Sequence, residues 1–165
     1  MNMDNLKIAL KAADNKKAHD CVALDISEIA SFASHFLIVT GDSVRQIQAI
    51  SDEIEKALTA AGRRPEHVEG YRNAEWILLD YGDLVVHIFS QTARDYYDLE
   101  RLWRDGRRLD VERLLADTAA KAAKEAKVAK GAKTDAAARG GGGSKASRTP
   151  KTPKTAKRGE LPDPP

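Results

Sequence analysis

The chain has 165 residues, enough for one domain with an appendage, and its formal net charge of +2 conceals a division. Residues 1–116 hold 15 Lys and Arg against 20 Asp and Glu, whereas residues 117–165 hold 12 against 5. No apolar run approaches the roughly 18 residues needed to span a bilayer, no secretory pattern opens the sequence, and the single cysteine, Cys21, excludes an internal disulfide.

These features predict a protein of the reducing cytoplasm. An acidic body suits a basic protein partner, and a basic tail suits nucleic acid or another polyanion through counterion release. Plain solubility is the alternative for either charge run.

A first helix is predicted over residues 4–17, with Leu6, Ala9, Leu10 and Ala13 on one stripe and Asp4 or Asn5 as its cap. A strand follows at about 20–24, then a polar connector carrying Ile26, Ile29 and Phe32, then a second strand over 35–40. Gly41-Asp42-Ser43 makes a sharp turn, and Ser43 with Gln46 matches a capping box. The helix it opens repeats Val44, Ile47, Ile50, Ile54, Leu58 and Ala61 at helical spacing up to Gly62.

Residues 67–70 approach the central feature as a short strand. Trp76 to Leu79 and Leu84 to Phe89 are two apolar runs about a polar break, which reads as an antiparallel hairpin with Gly82 supplying a positive φ. Neither run alternates cleanly, so both faces of this sheet are expected to be covered. Thr92 and Asp95 suggest a further cap, leading into Tyr96, Leu99, Leu102 and Trp103 as one apolar face ending near Gly106.

Val111, Leu114 and Leu115 extend a helix for a turn or two. Residues 119–138 are mainly Ala and Lys without an apolar stripe, and 140–158 are Gly, Ser, Thr, Pro and Lys, too polar to offset ordering entropy. The expected division is a domain over 1–110, its packed unit ending between about 105 and 118, and a basic, mostly disordered tail over 111–165.

The chemistry-bearing residues point away from catalysis. His19, His35, His67 and His87 lack metal-ligand spacing, and Cys21 leads into an apolar run. The Gly41-Asp42-Ser43 turn has neither the further glycines nor the Lys of a P-loop. Asp80 and Asp83 invite a metal-carboxylate reading, but they bracket a turn, where Asp commonly serves turn hydrogen bonding. No metal or cofactor is expected. Tyr96 and Tyr97 are adjacent and cannot both face inward, Tyr81 is expected to face out of the turn, and exposed aromatics beside carboxylates have the character of interface anchors.

Gly41-Asp42-Ser43 with Arg45-Gln46 and Ala49, Glu69-Gly70, the Trp76 to Phe89 hairpin with its Asp-Tyr-Gly-Asp turn, Arg94, Tyr97, Leu99-Glu100 and Leu102-Trp103 together resemble the ribosomal silencing factor, or iojap-like, family. The resemblance runs from about residue 6 to 104. His35 departs from it, since members commonly carry Asp there, and the basic tail is an extension that the pattern does not require.

The resemblance implies an α+β domain with a mixed β-sheet and flanking helices, of nucleotidyltransferase-like topology without the catalytic acids. It implies binding to the large ribosomal subunit through the universal large-subunit protein numbered fourteen, which blocks subunit joining and represses translation when nutrients are short. It also implies a homodimer in the free state. On this reading Trp76 and Tyr81 are apolar anchors, Asp80 and Asp83 accept from Arg or Lys of the partner, and the tail is available to ribosomal RNA. The alternatives are a large-subunit assembly factor and, from a different class, a magnesium-dependent nucleotidyltransferase using Asp80 or Asp83.

Overall fold

A computed structural model describes residues 3–131. The elements are α1 (Met3–Asn15), β1 (His19–Asp25), β2 (His35–Gly41), α2 (Val44–Ala60), β3 (His67–Glu69), β4 (Trp76–Asp80), β5 (Leu84–Ser90), α3 (Gln91–Tyr97), α4 (Leu99–Leu102), β6 (Arg107–Leu109) and α5 (Val111–Gly131). The strands form one sheet in the order β3-β4-β5-β2-β1-β6. Among these strands only β2 and β5 run parallel, paired from His35 with Leu84 to Gly41 with Ser90; the other neighbours are antiparallel. The expected mixed sheet of an α+β domain is therefore observed.

The position of β2 explains its composition. It lies between β5 and β1 with all seven residues buried, so it reads as a continuous apolar run rather than an alternating one. Side-chain alternation then sorts the core into two. Leu37, Val39, Ile77, Leu79, Leu84, Val86 and Ile88 point to the face covered by α1 and α2, where Leu6, Leu10, Ile47, Ile50, Ile54 and Leu58 seal them. Phe36, Ile38, Val85 and Phe89 point to the other face, with Leu24, Ile26, Ala33 and Ala93.

Ser43 caps α2 as expected, accepting from the Gln46 amide at 3.1 Å. The Gln46 side chain reaches back one residue further than a simple capping box, accepting from the Asp42 amide at 2.7 Å. Its amide group donates to the Lys16 and Lys17 carbonyls at 3.1 and 3.0 Å, which ties the end of α1 to the start of α2.

Three sequence expectations are corrected. The cap after β5 is Ser90, accepting from the Ala93 amide, rather than Thr92. The apolar face expected from Tyr96 to Trp103 is broken at Asp98, whose φ of 44° ends α3 and starts α4, so Tyr96 and Leu102 are exposed rather than core. Strand β6 is additional to the expected elements, because an edge strand needs little apolar character: its Arg107 reaches Asp25 at 3.0 Å and Arg108 reaches Glu100 at 2.8 Å.

The boundary expected at residue 110 falls between β6 and a helix that still packs. Leu114 of α5 is buried in the core of α1, with Val111 and Leu115 half-buried against it. Beyond Thr118 the described side chains of α5 are all exposed, while the helix itself continues to Gly131. The disordered stretch expected over 140–158 lies outside the described residues.

Gly70 is indispensable to the approach to β4. Its φ is +79°, and a Cβ there falls 2.0 Å from the Trp76 carbonyl oxygen. The left-handed conformation alone costs an L-residue about 1–2 kcal/mol, and the backbone clash adds to it. Gly70→Ala is expected to lower the unfolding free energy by at least about 2 kcal/mol, read as a lower denaturant midpoint at unchanged slope.

Candidate partner-binding face

Among the described residues, the face of the sheet opposite α1 and α2 is covered only by short α3 and α4 and by the connector between β1 and β2. Alternation brings Trp76 of β4, His87 and Phe89 of β5 and Phe36 of β2 onto it. A continuous run of rings results. Phe32 meets Trp103 at 5.7 Å, Trp103 meets Phe36 at 5.1 Å, Phe36 meets His87 at 4.8 Å, and His87 meets Trp76 at 5.9 Å. Trp76 then meets Tyr97 at 4.7 Å, and Tyr97 meets Tyr96 at 5.1 Å.

The run is anchored in the core at its centre and exposed at both ends. Phe36, His87 and Phe89 are buried and Trp76 is half-buried, whereas Phe32 is 59% and Tyr97 50% exposed, with Ile29, Tyr96 and Leu102 also at the surface. A run of rings that reaches the surface at both ends, unlike scattered exposed residues, is a candidate contact surface. In the sequence Phe32 reads only as an apolar member of a connector. The signal that could have found it is the lack of any helix or strand period that would bury it.

Two buried polar arrangements hold the rings in place. The Trp76 indole N–H donates to His87 Nδ1 at 3.2 Å, which requires the tautomer protonated at Nε2. His87 Nε2 is buried without a hydrogen-bond partner among the described residues, and burial pushes its pKa down to about 4. The second is Arg94 of α3. Its Nε and Nη2 donate to Glu100 Oε1 at 2.9 and 2.7 Å, and its Nη1 donates to Thr40 Oγ1 at 2.6 Å and to the Asp20 carbonyl. One largely buried guanidinium thus ties α3, α4 and β2 together and sets the position of Tyr97.

The sequence places the candidate anchors in and beside the hairpin turn, and the structure overturns the exposure expected for one of them, Tyr81. Tyr81 is 2% exposed and lies in the core beneath α2, so it is no surface anchor. The reason is parity: Ile77, Leu79 and Tyr81 follow one another on the same face of the strand. Asp80 Oδ1 accepts from the Gly82 amide at 2.8 Å, closing a turn in which Gly82 has a φ of +82°. Asp83 Oδ1 accepts from Arg63 at 2.7 Å, and the same guanidinium nitrogen donates to the Tyr81 carbonyl at 2.8 Å. Both aspartates are therefore engaged within the domain. Of the expected residues, only Trp76 lies in the ring surface.

The other candidates also have structural occupations. The Asp42 carboxylate pairs with His19 at 2.7 Å, and that hydrogen bond raises the His19 pKa. Burial pushes the Cys21 thiol up to about 11, away from thiolate chemistry. No group of three or more His, Cys, Asp or Glu among the described residues has the arrangement of a metal site.

Fold and site together define the class: a small α+β domain with one sheet face sealed by helices and a surface of rings presented on the other. A family model described as "Ribosomal silencing factor during starvation" matches residues 2–137. The ribosomal silencing factor RsfS of Bacillus subtilis is 44% identical over 107 residues, 65% of this chain and 91% of the relative. The RsfS of Halalkalibacterium halodurans is 41% identical over 115 residues, 70% and 98% respectively. A crystal structure of a Chromobacterium violaceum protein superimposes with a TM-score of 0.62 at 36% identity, covering 67% of this chain and 92% of that one. The chain belongs to the ribosomal silencing factor family.

The depressed pKa of His87 has a consequence for stability. A base whose folded pKa lies below its unfolded value of about 6.5 binds more protons when unfolded, so stability rises with pH across that window. Stability is expected to fall as pH drops from about 6.5 towards 4, by on the order of 3 kcal/mol from this residue. Protonating Nδ1 also removes the acceptor of the Trp76 indole. In His87→Phe the slope of unfolding free energy against pH between 4 and 6.5 is expected to flatten, with buried His35 supplying what remains.

Proposed function

We propose that this protein is a non-enzymatic ribosomal silencing factor. It occupies the large ribosomal subunit at the universal large-subunit protein numbered fourteen, obstructs docking of the small subunit, and so represses translation. The observation that carries the reading is family membership combined with an exposed ring surface on an acidic body. Ribosomal proteins are basic, so the net negative charge of residues 1–116 steers the encounter while apolar rings supply the short-range contact. Inhibition by occupancy demands no cofactor.

The anchors in this reading are Trp76, Tyr97 and Phe32. Asp80 and Asp83 contribute indirectly, by fixing the hairpin on which Trp76 stands. The reading includes a homodimer in the free state and a working place among cytoplasmic ribosomes.

Phe32→Ala combined with Tyr97→Ala removes two exposed rings, so the thermal transition is expected to move little. Co-sedimentation with isolated large subunits is expected to weaken at least about tenfold, as when interface anchors are removed, and subunit joining in the presence of the variant is expected to recover. Undiminished co-sedimentation of the folded double variant would place the contact elsewhere. A nucleotidyltransferase predicts stabilisation by nucleoside triphosphates with magnesium and turnover, whereas the silencing reading predicts neither.

A further inference from the structure

The paired contacts between α1 and α5 fix their relative direction. Lys7 pairs with Asp117 at 3.5 Å and Asp4 with Lys121 at 4.0 Å, so α5 advances as α1 recedes and the helices are antiparallel. Helix α1 begins at Met3 and α5 continues to Gly131. About ten residues of α5 therefore project past the amino end of α1, on the order of 15 Å at 1.5 Å per residue.

Helix α5 packs on α1, on the side of the sheet away from the rings. Lys121, where the overlap with α1 ends, and Lys124 and Lys127 on the projecting part recur every third residue, which makes them neighbours on one flank. Glu125 is the only acid between residues 119 and 131. Lys124 and Lys127 make no ion pair among the described residues, and every side chain from 119 to 128 is exposed.

We propose that this projecting part of α5 is an RNA-binding arm that contacts the phosphate backbone without regard to base sequence. Charge complementarity favours a polyanion. The composition favours RNA over a membrane surface, since Val128 is the only large apolar residue from 119 to 131 and a helix lying in a bilayer interface needs a broad apolar face. The body carries the opposite net charge and repels phosphate, which favours the arm over the body as the RNA contact. Protein contact at the rings and phosphate contact at the arm use separate surfaces.

The test uses the full chain and the variant Lys121→Gln, Lys124→Gln, Lys127→Gln. Gln has a helix propensity close to that of Lys, and circular dichroism checks that helix content is kept. Binding of a labelled RNA hairpin of arbitrary sequence is measured against salt concentration. The expected result is that the slope of log K against log salt becomes shallower by about two to three in the triple variant, since each lysine neutralises about one phosphate. The Phe32→Ala, Tyr97→Ala variant is expected to bind the hairpin as the parent does, which separates this test from that of the ring surface. An unchanged slope in the triple variant overturns the proposal, as does binding to vesicles of anionic phospholipid with no binding to the hairpin.

Discussion

The parallel pairing of β2 with β5 is the constraint on which the rest of the molecule depends. Seven residues of each strand are in register, and almost every one is buried on one side of the sheet or the other. Because consecutive side chains alternate, the register decides at once which residues go to the helical side and which go to the ring side. A slip of β5 by one residue against β2 would send His87 and Phe89 under α1 and α2 and bring Val86 and Ile88 out. The aliphatic core and the aromatic surface are therefore two readouts of a single pairing.

Much of this is legible in the sequence, for identifiable reasons. Helix α2 is plain because its cap, its apolar stripe and its terminating glycine all agree. The hairpin is plain because Gly82 sits between two apolar runs. The turn residues mislead, because polarity suggests exposure where parity decides burial: Tyr81 extends the Ile77 and Leu79 row and must follow it inward. Asp80 and Asp83 have a local explanation in the backbone amide and the arginine that they bind. Strand β6 and the break at Asp98 are hidden for the opposite reason: each is specified by tertiary contacts and not by a local pattern.

The ring surface itself cannot be read from sequence as a unit, since its members come from the β1–β2 connector, β2, β4, β5, α3 and the end of α4. What joins them is the topology, together with two polar devices placed beneath them. The Trp76 to His87 hydrogen bond orients the central indole, and Arg94 ties α3, which carries the outer tyrosines, to α4. A buried base and a buried guanidinium are costly to desolvate, and their presence here is intelligible as the means of giving rings a fixed orientation at a surface. Membership of the silencing factor family supplies the context in which such a surface has a use.

The two outer strands, β3 and β6, are each three residues long. A row of free amides and carbonyls that short gives an incoming strand little to zip onto, and the charged side chains of Glu69, Arg107 and Arg108 discourage it further. The sheet is thus finished at both margins and has little capacity to grow by backbone pairing with a neighbour. Encounters of this chain are thereby left to side chains, which can be selective and reversible, and not to the indiscriminate stitching that leads to fibrils.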